Sequence, residues 1–160
     1  MNTTAERSEA HHTFVIERTY DVPVATAWDA FANEESKKGW FGDGGDLYEL
    51  TDFAHNFEVG GVDVNEGEFH GGVVSRYVGR YTDIVEEQRI VSSYDMWVDG
   101  KHISTSVQTF TFEPAGDSTH LTLTEYGVHL DGFDTGSQRE EGTNGIFDDL
   151  GTWLTRKASS

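Results

Sequence analysis

The residues best suited to binding chemistry in this sequence are aromatic, and they recur along predicted strands and helices. Together with one methionine and one threonine, they could line an apolar pocket that contains a few polar groups. The candidate residues are Trp28, Trp40, Phe41, Tyr77, Tyr81, Tyr94, Met96, Phe110, Thr143 and Phe147. An ordinary hydrophobic core explains many of them equally well. Tyr81 and Tyr94 are the preferred polar contacts, because a buried hydroxyl needs a partner that a ligand oxygen can supply.

Glu125 is the one weak candidate for catalysis. It shares strand parity with Leu121 and Leu123, which predicts a side chain that points inward. Burial would raise the pKa of this carboxyl and suit it to general acid–base chemistry. The alternative is a structural carboxylate bound to Arg18 or to a neighbouring tyrosine. Nucleophilic catalysis has no support, since the sequence contains neither a cysteine nor a Gly-x-Ser-x-Gly motif.

The histidines and acidic segments show no metal-binding pattern. No two histidines lie at positions i and i+4 of a predicted helix, and the motif His-Glu-x-x-His is absent. The acidic segments 43–46 and 131–134 do not follow the ligand spacing of a calcium loop. The sequence therefore predicts neither a metal site nor a cofactor.

Length and charge restrict the classes of protein to consider. A chain of 160 residues, of which 36% are hydrophobic, is long enough for one domain with its own core. The formal net charge of −18 argues against nucleic-acid partners and anionic membrane surfaces, which both require clustered Lys and Arg. The absence of cysteine, of a membrane span and of an apolar signal region predicts a cytoplasmic protein. The acidity fits either a solvated surface or a salty cytoplasm.

Hydrophobic periodicity predicts one α+β domain over residues 13–157, after a polar and disordered segment, residues 1–12. A first strand precedes two short helices, a run of antiparallel strands and a long C-terminal helix. The best-defined elements are strands 13–20, 89–98, 102–112 and 119–129, helices 24–33 and 34–39, and a hairpin turn at Asp99-Gly100. This order fits a curved antiparallel sheet wrapped around the last helix.

The C-terminal helix is predicted over residues 137–157. Ser137 and Glu140 have the spacing of a capping box, and an apolar stripe follows that would face the sheet. Gly142 and Gly145 lie in its first half, although each glycine costs about 0.5–1 kcal/mol relative to alanine in a helix interior. These glycines indicate either close packing of the helix on the sheet or space beneath the helix for a ligand.

Short motifs spaced along residues 13–154 form a series. They are Glu17-Arg18-Thr19-Tyr20-Asp21-Val22-Pro23, Ala27-Trp28, Trp40-Phe41, Phe57-x-x-Gly60-Gly61, Arg80-Tyr81-x-x-Ile84-Val85, Glu87-Gln88-Arg89-Ile90, Leu121-Thr122-Leu123-Thr124 and Glu140-Glu141-Gly142. In this order they resemble the START-like, or SRPBCC, superfamily, and most of all its bacterial proteins related to the activator of Hsp90 ATPase. The resemblance covers nearly the full chain.

The resemblance implies a helix-grip fold, in which a bent antiparallel sheet holds the last helix above a deep pocket. Relatives include carriers of hydrophobic molecules, polyketide cyclases, hormone receptors and co-chaperones, so the fold alone does not give the activity. Many relatives have a tryptophan where this chain has Thr143. The smaller residue would enlarge the pocket or admit water.

We therefore predict that the protein binds a small hydrophobic or aromatic molecule beneath the C-terminal helix, without turnover. The alternative is an enzyme of the polyketide cyclase or hydrolase type that works in the same cavity. A chaperone-associated interaction role ranks last, because the chain lacks room for the extra domain of the eukaryotic co-chaperone. The sequence also leaves the formation of a homodimer undecided.

Overall fold

The computed structural model describes residues 6–42 and 45–159, and within them the predicted α+β helix-grip class is confirmed. The strands are β1 (Glu9–Tyr20), β2 (Tyr48–Ala54), β3 (Val62–Phe69), β4 (Val74–Val85), β5 (Arg89–Val98), β6 (Lys101–Ala115) and β7 (Ser118–Leu130). The helices are α1 (Val24–Ala32), α2 (Glu34–Lys37) and α3 (Gly136–Ser159). A π-helical turn, Lys38–Gly42, follows α2, and a 3-10 turn, Gly45–Leu47, precedes β2.

All seven strands form one antiparallel sheet in the order β1-β7-β6-β5-β4-β3-β2. Strands β5 and β6 are joined by the predicted turn, where Asp99 and Gly100 have φ angles of 50° and 80°. Two successive residues with positive φ are what a tight hairpin turn requires. Irregular register between Tyr81 and Asp83 and between Met96 and Trp97 interrupts the ladder on either side of β5. Such bulges bend a strand, and the sheet curves around α3.

Strand β1 begins earlier than the sequence predicts. Residues 9–12, which the sequence assigns to a disordered segment, pair with β7 from Glu9 opposite Leu130 to His12 opposite Gly127. This edge strand is exposed over its first residues, so it lacks the apolar alternation that identifies a half-buried strand. Residues 1–5 of the predicted segment, and residues 43 and 44 of the acidic segment 43–46, lie outside the described residues.

An aromatic core closes one end of the curved sheet. Phe31 of α1 contacts Phe110 and Phe112 of β6 with ring centroids 5.1 and 5.2 Å apart. Trp40 packs on Phe31 at 4.9 Å, and its indole N–H donates a hydrogen bond of 2.7 Å to the carbonyl oxygen of Ala30. This core fixes the position of the π-helical turn beside α3.

Helix α3 begins at Gly136, and its cap differs from the predicted one. The hydroxyl of Thr135 accepts a 3.1 Å hydrogen bond from the backbone N–H of Gln138, whose Oε1 accepts one of 3.0 Å from the N–H of Thr135. This reciprocal pair is a capping box, so the box predicted at Ser137 and Glu140 is wrong. Both pairs match the same sequence pattern, and the sequence alone could not separate them.

The apolar stripe of α3 faces the sheet as predicted, with Phe147, Leu150 and Leu154 buried. A Cβ atom added to Gly142 or Gly145 would meet no described atom within 4 Å. Close packing against the sheet therefore does not explain these two glycines. In the described part of the chain, neither α3 nor any other helix is long and apolar enough to cross a membrane.

Candidate functional site

A cavity of about 530 Å³ lies between α3 and the inner face of the sheet, and α2 with the π-helical turn closes one side. This volume is within the range of roughly 300–1,000 Å³ that is usual for small-molecule sites. Most residues that the sequence predicts for the pocket line it: Trp40, Phe41, Tyr77, Tyr94, Met96, Phe110, Thr143 and Phe147. Their position is established by the structure, and their contact with a ligand stays a prediction.

Trp28 and Tyr81 do not line the cavity, which corrects the sequence prediction. Trp28 packs against Phe57 with ring centroids 5.5 Å apart, and Tyr81 packs against the same ring at 5.1 Å. The hydroxyl of Tyr81 donates a hydrogen bond to Asp63. Tyr81 shares its strand face with the cavity residue Tyr77, but four residues of extended chain separate them by about 13 Å. Strand parity predicts the face of a residue and not its distance along the strand.

Asp63, the hydrogen-bond partner of Tyr81, is a structural carboxylate. It accepts hydrogen bonds from Tyr81 and from the backbone N–H of Asn56 (3.1 Å), and the Nδ1 atom of His55 lies 3.1 Å from it. Burial acts to raise the pKa of Asp63, but the hydrogen bond with His55 and the positive charge of Lys37 outweigh it and lower the pKa. Asp63 is therefore an ionised group whose oxygens are already occupied by protein donors.

Glu125 points inward from β7 into the cavity wall, as its parity predicts, with 2% of its surface exposed. The hydroxyl of Tyr94 donates a 2.7 Å hydrogen bond to its Oε2 atom. Burial raises the pKa of Glu125, although the hydrogen bond from Tyr94 and the charge of Arg139 act to lower it. Arg18 and a neighbouring tyrosine are the two partners predicted for a structural Glu125. A tyrosine, Tyr94, binds the carboxyl, and Arg18 does not. Arg18 instead lies 2.7 Å from Asp148 of α3.

Arg139 connects this carboxyl to the start of α3, and sequence reasoning missed it. Its guanidinium donates hydrogen bonds to the hydroxyls of Tyr94 (2.9 Å) and Ser104 (2.7 Å) and to the carboxylate of Asp134 (2.8 Å). A signal was available, because Arg139 lies one helical turn before the predicted cavity residue Thr143. Three of the five N–H donors of the guanidinium are thus bound by protein acceptors.

Three further polar contacts in the cavity wall were also missed. The side-chain amide of Gln108 donates a 3.1 Å hydrogen bond to the hydroxyl of Tyr77. The hydroxyl of Tyr48 donates one of 2.7 Å to Asn65, which in turn donates one of 2.9 Å to the carbonyl oxygen of Phe41. Burial raises the pKa of Tyr48 to about 12, so its hydroxyl stays neutral at ordinary pH. These pairs hold the aromatic rings in position around the cavity.

The geometry suits reversible binding of an apolar molecule with a few polar atoms. Within residues 6–42 and 45–159, no cluster of three or more His, Asp or Glu residues could hold a metal ion. Apolar groups form most of the cavity wall, and the hydroxyl, amide and carboxyl groups described above are distributed among them.

A bent antiparallel sheet that holds a long C-terminal helix over a cavity defines the helix-grip class of SRPBCC proteins. The chain belongs to one family of this class, since the family described as "Activator of Hsp90 ATPase homolog 1-like protein" matches residues 21–155. The resemblance found in the sequence motifs is therefore confirmed. A comparison with curated proteins finds no match.

Solved structures agree with this assignment. A protein from Rhizobium leguminosarum is 34% identical, with a TM-score of 0.90, over 94% of this chain and 99% of that chain. The Mll3558 protein from Rhizobium loti is 38% identical, with a TM-score of 0.84, over 91% of this chain and 99% of that chain. DynU16, described as a protein in the dynemicin biosynthetic locus, is 14% identical with a TM-score of 0.63, over 89% of this chain and 47% of that one. The last likeness shows the fold alone.

Proposed function

We propose that this protein binds a small, largely aromatic molecule in the cavity between α3 and the sheet, without turnover. The observation that carries the proposal is a cavity of about 530 Å³, partly open to solvent, whose wall is formed largely by aromatic rings, among them Trp40, Phe41, Tyr77 and Phe110. A ligand of this kind would gain from burial of apolar surface and from ring-to-ring contacts.

The surface of α3 that faces the cavity supports the proposal. Thr143 and Gly142 line the cavity, and a Cβ atom on Gly142 would meet empty space. Thr143 is small, and Gly142, an exposed residue of the cavity wall, has no side chain, so α3 adds little bulk to the cavity at these two positions. The hydroxyl of Thr143 donates a 2.7 Å hydrogen bond to the carbonyl oxygen of Arg139. This donor is therefore used inside the helix.

The enzyme alternative depends on Glu125, and its contacts favour binding over turnover. Its carboxyl is held by Tyr94, which is itself held by Arg139. One oxygen of this buried carboxyl is therefore bound by a protein donor, as is usual for a structural group. The hydroxyl, amide and carboxyl groups of the cavity wall would orient a bound ligand by hydrogen bonding.

Titration with Nile red, a neutral apolar dye, tests the proposal. We expect saturable dye fluorescence with the native protein. Thr143→Trp, which places an indole in the cavity, should weaken dye binding at least tenfold while circular dichroism stays unchanged. Thr152→Trp is the matched control, because Thr152 is an exposed threonine of the same helix. Its dye affinity should equal that of the native protein.

Two results would contradict the proposal. One is a native protein that shows no saturable dye binding and carries no small molecule in native mass spectrometry. The other is equal dye affinity in the folded Thr143→Trp and Thr152→Trp variants, which would place the dye outside the cavity.

A further inference from the structure

Lys37 is a buried ammonium group in the cavity wall. It is the last residue of α2, only 7% of its surface is exposed, and it lines the cavity beside Trp40 and Phe41. Lysine is among the residues least often buried, because removal of its charge from water costs much free energy unless an opposite charge compensates. Its position therefore requires a physical explanation.

The protein surrounds the Lys37 ammonium with aromatic faces and not with carboxylates. The Nζ atom lies 5.3 Å from the ring centroid of Phe31, 5.1 Å from that of Trp40 and 4.9 Å from that of Phe41. Such contacts offset part of the cost of burying a cation. In the described part of the chain, no carboxylate oxygen lies within 4.0 Å of this atom, and its ammonium makes no hydrogen bond.

One carboxylate acts electrostatically on Lys37, but it does not form an ion pair with it. Asp63 attracts Lys37 electrostatically, but its oxygens are occupied by His55, Asn56 and Tyr81. Burial is the larger effect and lowers the pKa of Lys37, against the attraction of Asp63. An anion brought close to Nζ would favour the charged form and reverse this effect.

The other charged residues of the cavity are already compensated. Arg139 forms an ion pair of 2.8 Å with Asp134. Burial favours the neutral form of Glu125, and Asp149 is exposed to water. Lys37 is therefore the one buried basic group of the described cavity wall that has no carboxylate within ion-pair distance.

We infer that Lys37 binds the carboxylate of an aromatic acid, whose rings occupy the apolar part of the cavity. This inference rests on the proposed function and deepens it, because it specifies the ligand class as an amphipathic aromatic carboxylic acid. The ammonium supplies three donors, and a carboxylate supplies both the missing acceptor and the missing charge. The rings of Trp40 and Phe41, which flank the ammonium, form the adjoining apolar wall.

A matched pair of probes separates this inference from the proposed function. Naphthalene-2-carboxylate and naphthalene-2-carboxamide have nearly the same shape, but only the first is charged. The native protein should bind the carboxylate at least about tenfold more tightly, which is the usual scale of a hydrogen bond to a charged group. Isothermal titration calorimetry at pH 7 measures both affinities.

Two variants complete the experiment. Lys37→Met keeps the length and apolar stem of the side chain and should remove the preference for the carboxylate while it leaves the affinity for the carboxamide within about threefold. Lys38→Met is the control, since Lys38 is the neighbouring lysine and is exposed. It should keep the full preference.

Each outcome decides one of the two claims. If the native protein binds the carboxamide as tightly as the carboxylate, the role of Lys37 is overturned and cavity binding stands. This comparison needs no variant, so it decides the inference even if Lys37→Met does not fold. If a folded Lys37→Met variant retains the preference, the inference is likewise overturned. If neither probe binds the native protein, the proposed function itself fails.

Discussion

At the scale of single residues, burial of ionisable groups dominates the chemistry of the cavity. Glu125 and Lys37 are both nearly inaccessible to water, and in both the larger effect on the pKa is burial, which acts against the charged form. Tyr94 and Arg139 compensate the carboxyl, whereas aromatic rings alone surround the ammonium. The cavity wall therefore contains a hydrogen-bonded carboxyl and an amine without an anionic partner.

The raised pKa of Glu125 predicts a stability that falls as the pH rises. The folded protein holds this proton more tightly than the unfolded chain, where the carboxyl has its ordinary pKa of 4.5. The free energy of unfolding should therefore decrease from pH 4.5 upward until the folded group has lost its proton, with a slope of at most about 1.4 kcal/mol per pH unit. Glu125→Gln keeps an acceptor for Tyr94 and should abolish this contribution.

Urea denaturation between pH 4.5 and pH 8 measures this effect as the difference between the native protein and the variant. Glu113→Gln is the control, because Glu113 is exposed on β6 and its replacement should leave the pH dependence unchanged. If the unfolding free energies of the native protein and Glu125→Gln stay parallel over this range, Glu125 does not bind its proton more tightly in the folded state.

At the scale of elements, two glycines near α3 predict opposite effects of the same substitution. Gly142→Ala should stabilise the protein by about 0.5–1 kcal/mol, because alanine favours the helix and its methyl group meets empty space. Gly39→Ala should destabilise it by about 1–3 kcal/mol, because its methyl group would overlap the ring of Trp153. Thermal and urea unfolding measure both changes. A destabilised Gly142→Ala protein would show that α3 packs closely on the sheet at this position.

The sequence predicted the elements best where local rules act alone. Strand β5 matches its predicted bounds, and the hairpin at Asp99-Gly100 is present, because hydrophobic alternation and turn residues are local properties. The capping pattern predicts a cap at Ser137, whereas Thr135 forms it, because two overlapping segments satisfy the same pattern.

The cavity was predicted less completely, since its wall depends on contacts between distant segments. Most of the predicted aromatic residues line the cavity, because strand parity and helical spacing give the face of each side chain. The sequence does not place Trp28 because its surroundings depend on where α1 packs, and it does not place Tyr81 because parity leaves its distance along β4 undetermined. Lys37 and Arg139 were missed because charged residues are usually exposed, and only the folded chain shows their burial.

At the scale of the whole molecule, a strongly acidic protein contains an interior site with buried cations. The formal net charge is −18, yet Lys37 and Arg139 both line the cavity. The acidic residues elsewhere would repel anions at long range, and salt screens this repulsion within about 10 Å at 0.1 M ionic strength. Recognition of an acid in the cavity would therefore depend on short-range contacts and not on the overall field.

The most direct test of the account is a nuclear magnetic resonance titration of the uniformly labelled native protein with naphthalene-2-carboxamide, followed through the backbone amide resonances. Because this probe is neutral, the test concerns the cavity alone. The account predicts saturable shifts that cluster at the cavity wall, including Tyr94, Phe110 and Thr143, with little change on the outer face of the sheet. Saturable shifts confined to the outer face, or no saturable shifts up to the solubility limit of the probe, would contradict it.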